Sequence, residues 1–259
     1  MNLHGAPPLL VQYRQHSLWL ITQHNHALVS GKLAYHWKHT PPLPFLLLLA
    51  ISLHDLSWIE ADQSLHWSED TPSQFFEYPL PQRLELYQKG VQKALQISPY
   101  LALLTSMHYQ SFFDEKTTPH FHQQQQTFQQ HWQKQLNLPQ PHLQNDLKVL
   151  KFFDNLSLYL CYTPPAAIKP KLPLWMRPEI VYNLSPTPFQ MHWKNNHELH
   201  FHPFPFQQEF LLTIPYQEIT YQQLQQWQNL PPHQRNQNFQ QTPQQLWRVW
   251  IKKSPNPTS

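Results

Sequence analysis

Three glycines stand against 27 prolines in 259 residues, and that imbalance limits the backbone before any side chain is considered. Glycine supplies most positive-φ positions, so a chain with so few carries no Gly-rich phosphate loop and no nucleotide fold built on one. Proline ends helices and avoids sheet interiors, so its distribution marks element borders. Pro41, Pro42 and Pro44 close one helical pattern, and Ser98-Pro99 opens another. Thr163–Pro178, with five prolines and two lysines, reads as a connector.

Between these borders the periodicity is readable. Leu9–Arg14 and Leu18–Thr22 form a predicted hairpin. A helix starts at Asn25 as N-cap and carries Ala27, Leu28, Leu33, Ala34 and Trp37 at helical spacing. Phe45–Leu56 is nearly all apolar and is expected to be a helix buried on most faces, followed by a long irregular loop over Trp58–Pro81. Further helices are predicted over Arg83–Gln96, Pro99–Tyr109, Phe121–Leu136 and Leu143–Tyr162. The remainder looks β-rich: a hairpin over Phe189–Lys194 and Glu198–His202, then strands Glu209–Pro215 and Leu246–Ile251. We expect one domain over residues 1–259, with a helical core at 23–163, a Pro-rich connector at 164–188 and a β-rich part at 189–259. The fold class is mainly α, with a small antiparallel β-sheet made by the N-terminal hairpin and the C-terminal strands.

Composition narrows the function. Apolar residues make up 40% and charged ones 13%, about half the usual charged share, so Gln, Asn and His carry much of the surface polarity. A net charge of +3, with no basic run beyond Lys252-Lys253, gives no reason to expect nucleic acid. The lone Cys161 excludes an intrachain disulfide and a Cys-based zinc site, and in an apolar helix end it reads as inert. No apolar run is long enough to cross a bilayer and no leader pattern opens the chain, so a cytoplasmic protein without a membrane partner is expected.

The residues that suggest chemistry start with His54-Asp55, at the end of the apolar Phe45–Leu56 segment. A carboxylate there is costly unless paired or bound to a cation. Neighbours on a helix diverge by about 100°, so both reach one ion only if the helix end faces a cavity. With 18 His in the chain the pair by itself is weak, and Asp55 bonded to backbone is an equal reading. Three other positions add weight: His26 in the first turn of its helix, His108 at the end of Leu101–His108, and Asp154 inside an otherwise apolar helix. Imidazole and carboxylate together suit Mn, Fe, Co, Ni or Zn better than Mg. In the following loop Glu60 and Asp62 are either solvated acids or, Asp62 foremost, a general base for a metal-activated water. His200-Phe201-His202 places two imidazoles on one strand face and reads as surface decoration. The Trp- and Gln-rich stretches Gln222–Trp227 and Gln244–Trp250 read as packing, with an oligomer contact left open.

The order His … His-Asp … Asp across successive helices resembles the HD superfamily of metal-dependent phosphohydrolases. At finer grain the chain resembles an uncharacterised bacterial family, domain of unknown function 3891. That resemblance is carried by Thr22-Gln23-His24-Asn25-His26-Ala27, His54-Asp55-Leu56-Ser57-Trp58, Leu103-Leu104-Thr105-Ser106-Met107-His108, Asp154-Asn155-Leu156-Ser157-Leu158 and His202-Pro203-Phe204-Pro205-Phe206. One departure is Leu56-Ser57, where the family usually has Asp-Gly. The resemblance implies an HD-like helical bundle, with His26, His54, Asp55 and Asp154 as ligands of one ion. It makes His108 a second-metal ligand or an acid near the reacting atom. A further ligand would have to come from His120, His122 or His131.

Three functions follow as expectations. The first is a hydrolase with one or two transition-metal ions acting on a small phosphoester or nucleotide, with Lys32, Arg83, Lys89 and Lys93 as candidate phosphate-holding cations. The second is a non-haem iron oxygenase. The third is a non-catalytic metal-stabilised binding or sensor protein. All three require that His54 and Asp154 lie within about 8 Å, since one ion bridges them with bonds near 2 Å.

Overall fold

The computed structural model describes residues 9–68, 71–163, 165 and 189–255. The predicted connector over 164–188, Pro165 apart, lies outside the described residues.

The chain opens with β1 (Leu9–Tyr13) and β2 (Ser17–Thr22), paired antiparallel as expected. Helix α1 (Gln23–His36) starts one turn earlier than the Asn25 cap would give: Thr22 is the N-cap, and its hydroxyl accepts the Asn25 N–H at 3.0 Å. Helix α2 (Phe45–Ser52) is shorter than predicted, because Ser52 bonds back to the Leu48 carbonyl and the chain leaves the helix at Leu53. It is also less buried than its composition suggested. Leu47, Ala50 and Ile51 face the core, while Phe45 is 74% exposed.

After α2 come short 3-10 turns, the two-residue strands β3 (Trp67–Ser68) and β4 (Thr71–Pro72), and then four longer helices. These are α3 (Leu80–Ile97), α4 (Pro99–Gln110), α5 (Pro119–Leu136) and α6 (Gln140–Tyr162). Pro sits in the first turn of each, where its missing N–H costs nothing. Helix α4 is the central one, and every residue from Leu101 to Tyr109 is buried.

The expected small antiparallel sheet is corrected by the structure. β5 (Gln190–Asn195), β6 (Glu198–His202), β7 (Phe210–Thr220) and β8 (Gln244–Lys253) join the first hairpin in one six-stranded sheet, in the order β1-β2-β7-β8-β6-β5. The sheet is mixed, because β8 inserts between β7 and β6 and runs parallel to β6. A mainly α description therefore fails. Two further helices, α7 (Tyr221–Gln228) and α8 (Pro232–Gln241), were not foreseen. They cover the second face of the hairpin: Leu9, Val11, Leu18 and Leu20 pack with Leu224, Trp227 and Phe239, while Leu10 and Ile21 turn toward the helical core. Burial on both faces explains why β1 begins as an unbroken apolar run.

Among the described residues only Asn137 adopts positive φ, closing α5 in the left-handed region. The described glycines serve close packing instead. A Cβ on Gly31 would lie 2.8 Å from Cβ of Ser52, and one on Gly90 would lie 2.5 Å from Cβ of Ser57. These contacts brace the segment between α2 and α3 from both sides, and His54 and Asp55 lie within it. No helix among the described residues is long and apolar enough to cross a membrane.

Candidate metal centre

His26 lies one turn into α1, held against α6 by Ser157. The Ser157 hydroxyl donates to the His26 carbonyl at 2.7 Å, so its oxygen accepts Nδ1–H of the His26 ring at 2.8 Å. The His54 ring is fixed in the same way, because its Nδ1–H donates to the Ile51 carbonyl at 2.8 Å. Both imidazoles are thereby held with Nδ1 protonated and the Nε2 lone pair free.

Those lone pairs point at carboxylates. His26 Nε2 is 2.8 Å from Asp55 Oδ2 and 3.9 Å from Asp154 Oδ1. His54 Nε2 is 3.3 Å from Asp154 Oδ1, well inside the 8 Å limit, and 3.7 Å from Asp55 Oδ2. A neutral Nε2 and a carboxylate oxygen are both acceptors, so each such pair needs a proton or a cation between them. All four residues are buried, and among the described residues His54 Nε2 has no hydrogen-bond partner. His26, His54 and Asp154 each offer a ligand atom within 4.8 Å of the others, a donor set that fits one divalent ion.

Asp55 can face this group because α2 has already ended. The turn after Leu53 frees His54 and Asp55 from the helical divergence of neighbouring side chains, and Trp58 packs behind them on Tyr78 and Tyr87. His108 reaches in from the last turn of α4, with Nε2 at 3.5 Å from Asp154 Oδ2. Both its ring nitrogens are buried without a hydrogen-bond partner among the described residues. Asp154 therefore presents one oxygen to His26 and His54 and the other to His108.

The electrostatics follow from burial and from the two carboxylates. Burial alone lowers the His54 pKa, but Asp55 and Asp154 outweigh it and lift it to about 9. For Asp154 burial works upward, yet His54, His108 and His26 hold it below the usual carboxylate range. His108 is lowered to about 3 by burial, which Asp154 only partly opposes, so its ring is neutral and suited to binding a cation rather than holding a proton.

The cluster borders a cavity of about 470 Å³. His26, Asp55, His108 and Asp154 line it, together with Arg83, Lys151, Asn155 and several aromatic side chains, while His54 does not reach it. Lys151 was missed in the sequence, although its spacing pointed to it: Lys151, Asp154, Asn155 and Leu158 share one face of α6.

The other candidates lie elsewhere. Asp62 is not among the cavity-lining residues. Its carboxylate accepts the Gln23 and His24 N–H groups at 3.3 and 3.1 Å, closing the first turn of α1. Burial pushes its pKa up to about 8 against the pull of those donors. Glu60 is exposed and paired with Lys93, and Lys89 is paired with Glu85. Lys32 borders a separate cavity beside α1. His122 is tied to the Phe113 carbonyl, His120 contacts Gln124 and His131 lies against Trp132. His200 is buried and bonded to Glu198, which corrects the surface reading for that residue, while His202 is exposed. Cys161 is buried, and burial raises its thiol pKa.

Comparison with the curated proteins and with the solved structures returns no match. A family profile described as "Protein of unknown function (DUF3891)" matches residues 9–221, a span holding every residue of the cluster. Matched over more than four fifths of its length, the chain belongs to that family.

Proposed function

We propose that the protein is a metal-dependent hydrolase of the HD type acting on a small phosphoester or nucleotide. The reading rests on one observation above all. Two imidazoles, each locked with its Nε2 lone pair inward, converge on two buried carboxylates bordering a cavity. The ligand order His26 … His54-Asp55 … Asp154 is also that of the HD phosphohydrolases. A divalent ion held there supplies Lewis-acid polarisation and makes a water acidic enough to react near neutral pH. Around it, Ser157 and the Ile51 carbonyl orient the two rings, and neutral His108 offers a ring nitrogen beside Asp154. The cavity favours a catalytic over a sealed structural ion, since a substrate needs an approach.

The test is metal analysis of protein purified without a His tag, together with phosphate release from a panel of phosphoesters. The wild type is expected to hold about one equivalent of a transition metal, with His54→Ala and Asp154→Ala reduced at least about tenfold. Less than about a tenth of an equivalent in the wild type, with no uptake of added metal, removes the proposal. Bound metal without phosphate release favours the non-catalytic alternative, and oxygen-dependent turnover with bound iron favours the oxygenase.

A further inference from the structure

Two cations overlook the same cavity, and among the described residues neither has a carboxylate within ion-pair distance. Lys151 stands one helical turn before Asp154, and Arg83 lies near the start of α3. Lys89 and Lys93 further along α3, by contrast, each hold a glutamate at 2.7 Å. Arg83 Nε is buried without a hydrogen-bond partner among the described residues, and its guanidinium lies over the Phe113 ring at 5.2 Å. A guanidinium and an ammonium at a cavity that also holds a cation-binding cluster form a receptor for an anion with several oxygens.

The rest of the wall is different in kind. Phe76 and Phe112 are 37% and 45% exposed at the cavity, with the Tyr87 ring also lining it. Flat apolar surface beside an anion-holding end suits a ligand with one charged and one flat apolar part. Building on the hydrolase reading, we propose that the substrate is a phosphate monoester with a flat, apolar leaving group. Lys151 and Arg83 hold the phosphoryl oxygens, and the aromatic wall takes the leaving group. A monoester carries close to two negative charges near neutral pH, and two cations match it better than the single charge of a diester. In the reaction, the oxygen of water bonds to phosphorus. The P–O bond to the leaving group breaks with its electron pair, and a proton from water ends on the departing oxygen, giving inorganic phosphate and an alcohol.

The test uses the full chain loaded with Mn²⁺. Calorimetric titration with orthophosphate is expected to show binding that Lys151→Met and Arg83→Met each weaken by about tenfold or more with unchanged metal content. Lys32→Met, distant from the cavity, serves as the control and keeps wild-type binding. Phenyl phosphate is expected to exceed methyl phosphate in kcat/KM by about tenfold, and Phe76→Ala to reduce that preference. Wild-type phosphate affinity in both cation variants, or equal use of the two esters, overturns the inference while leaving the hydrolase reading in place. If neither metal nor turnover is found, the hydrolase reading falls by itself. Phosphate titration of the metal-free chain then still decides the cation pair: weaker binding in the variants supports it and equal binding overturns it.

Discussion

In the metal-free protein the His54 ring takes up a proton where an ion would sit, and that has a consequence for stability. Its folded pKa of about 9 lies above the unfolded value of about 6.5. The imidazolium therefore contributes its full stabilisation below about pH 6.5, and loses it as pH rises toward 9. The difference amounts to roughly 3 kcal/mol, Asp154 being the other half of the same pair and not a second contribution. Denaturant unfolding in the presence of a chelator should show this loss, and metal-loaded protein should show much less of it, because the ion replaces the proton. Equal stability of the chelated protein at pH 6 and pH 9 would contradict the assignment. At this scale the sequence was most informative about which residues cluster, since a histidine or acid inside an apolar helix stands out. Asp62 misled because a loop acid beside a metal motif looks the same whether it reaches the metal or caps a helix. Its real partners, the N–H groups of Gln23 and His24, lie 39 and 38 residues away.

Helix packing holds the His/Asp cluster in register through the two described glycines. Gly31 lets α1 approach Ser52, two residues before His54, and Gly90 lets α3 approach Ser57, two residues after Asp55. Either substitution to alanine should cost about 1–3 kcal/mol by overpacking and also weaken metal uptake, because the displaced segment carries two of the proposed ligands. Thermal unfolding read beside metal content checks both effects, and unchanged metal content in two destabilised variants would separate packing from the site. The long helices were legible because Pro marks their starts and apolar residues recur along them. Helices α7 and α8 were not, since most of their residues are Gln, Asn and other polar types. A signal was present: Thr220 accepts the Gln223 N–H while the Gln223 side chain returns to the Thr220 N–H, a capping box visible in the sequence as Thr-x-x-Gln. Helix α2 failed in the opposite direction, its composition promising more burial than a helix near the surface can have.

At the scale of the molecule the sheet joins distant parts of the chain. Local alternation revealed most of its strands, but not that β8 would enter between β7 and β6, because register between remote strands leaves little local trace. The exposed edge at β1 is closed by Gln74, whose side-chain amide exchanges hydrogen bonds with both backbone groups of Val11. The interior position of β8 makes the last strand indispensable. A chain ending at Thr242 should lose the cooperative unfolding transition and aggregate, as seen by calorimetry and size-exclusion chromatography. A soluble, cooperatively folded truncation would show that the β5–β6 hairpin can dock elsewhere. Order of synthesis and order in space are thus opposed. Until Gln244–Lys253 has been synthesised, β6 and β7 flank an empty lane with unpaired backbone on both sides, so the nascent protein stays open to mispairing or to a chaperone until β8 arrives to fill the gap.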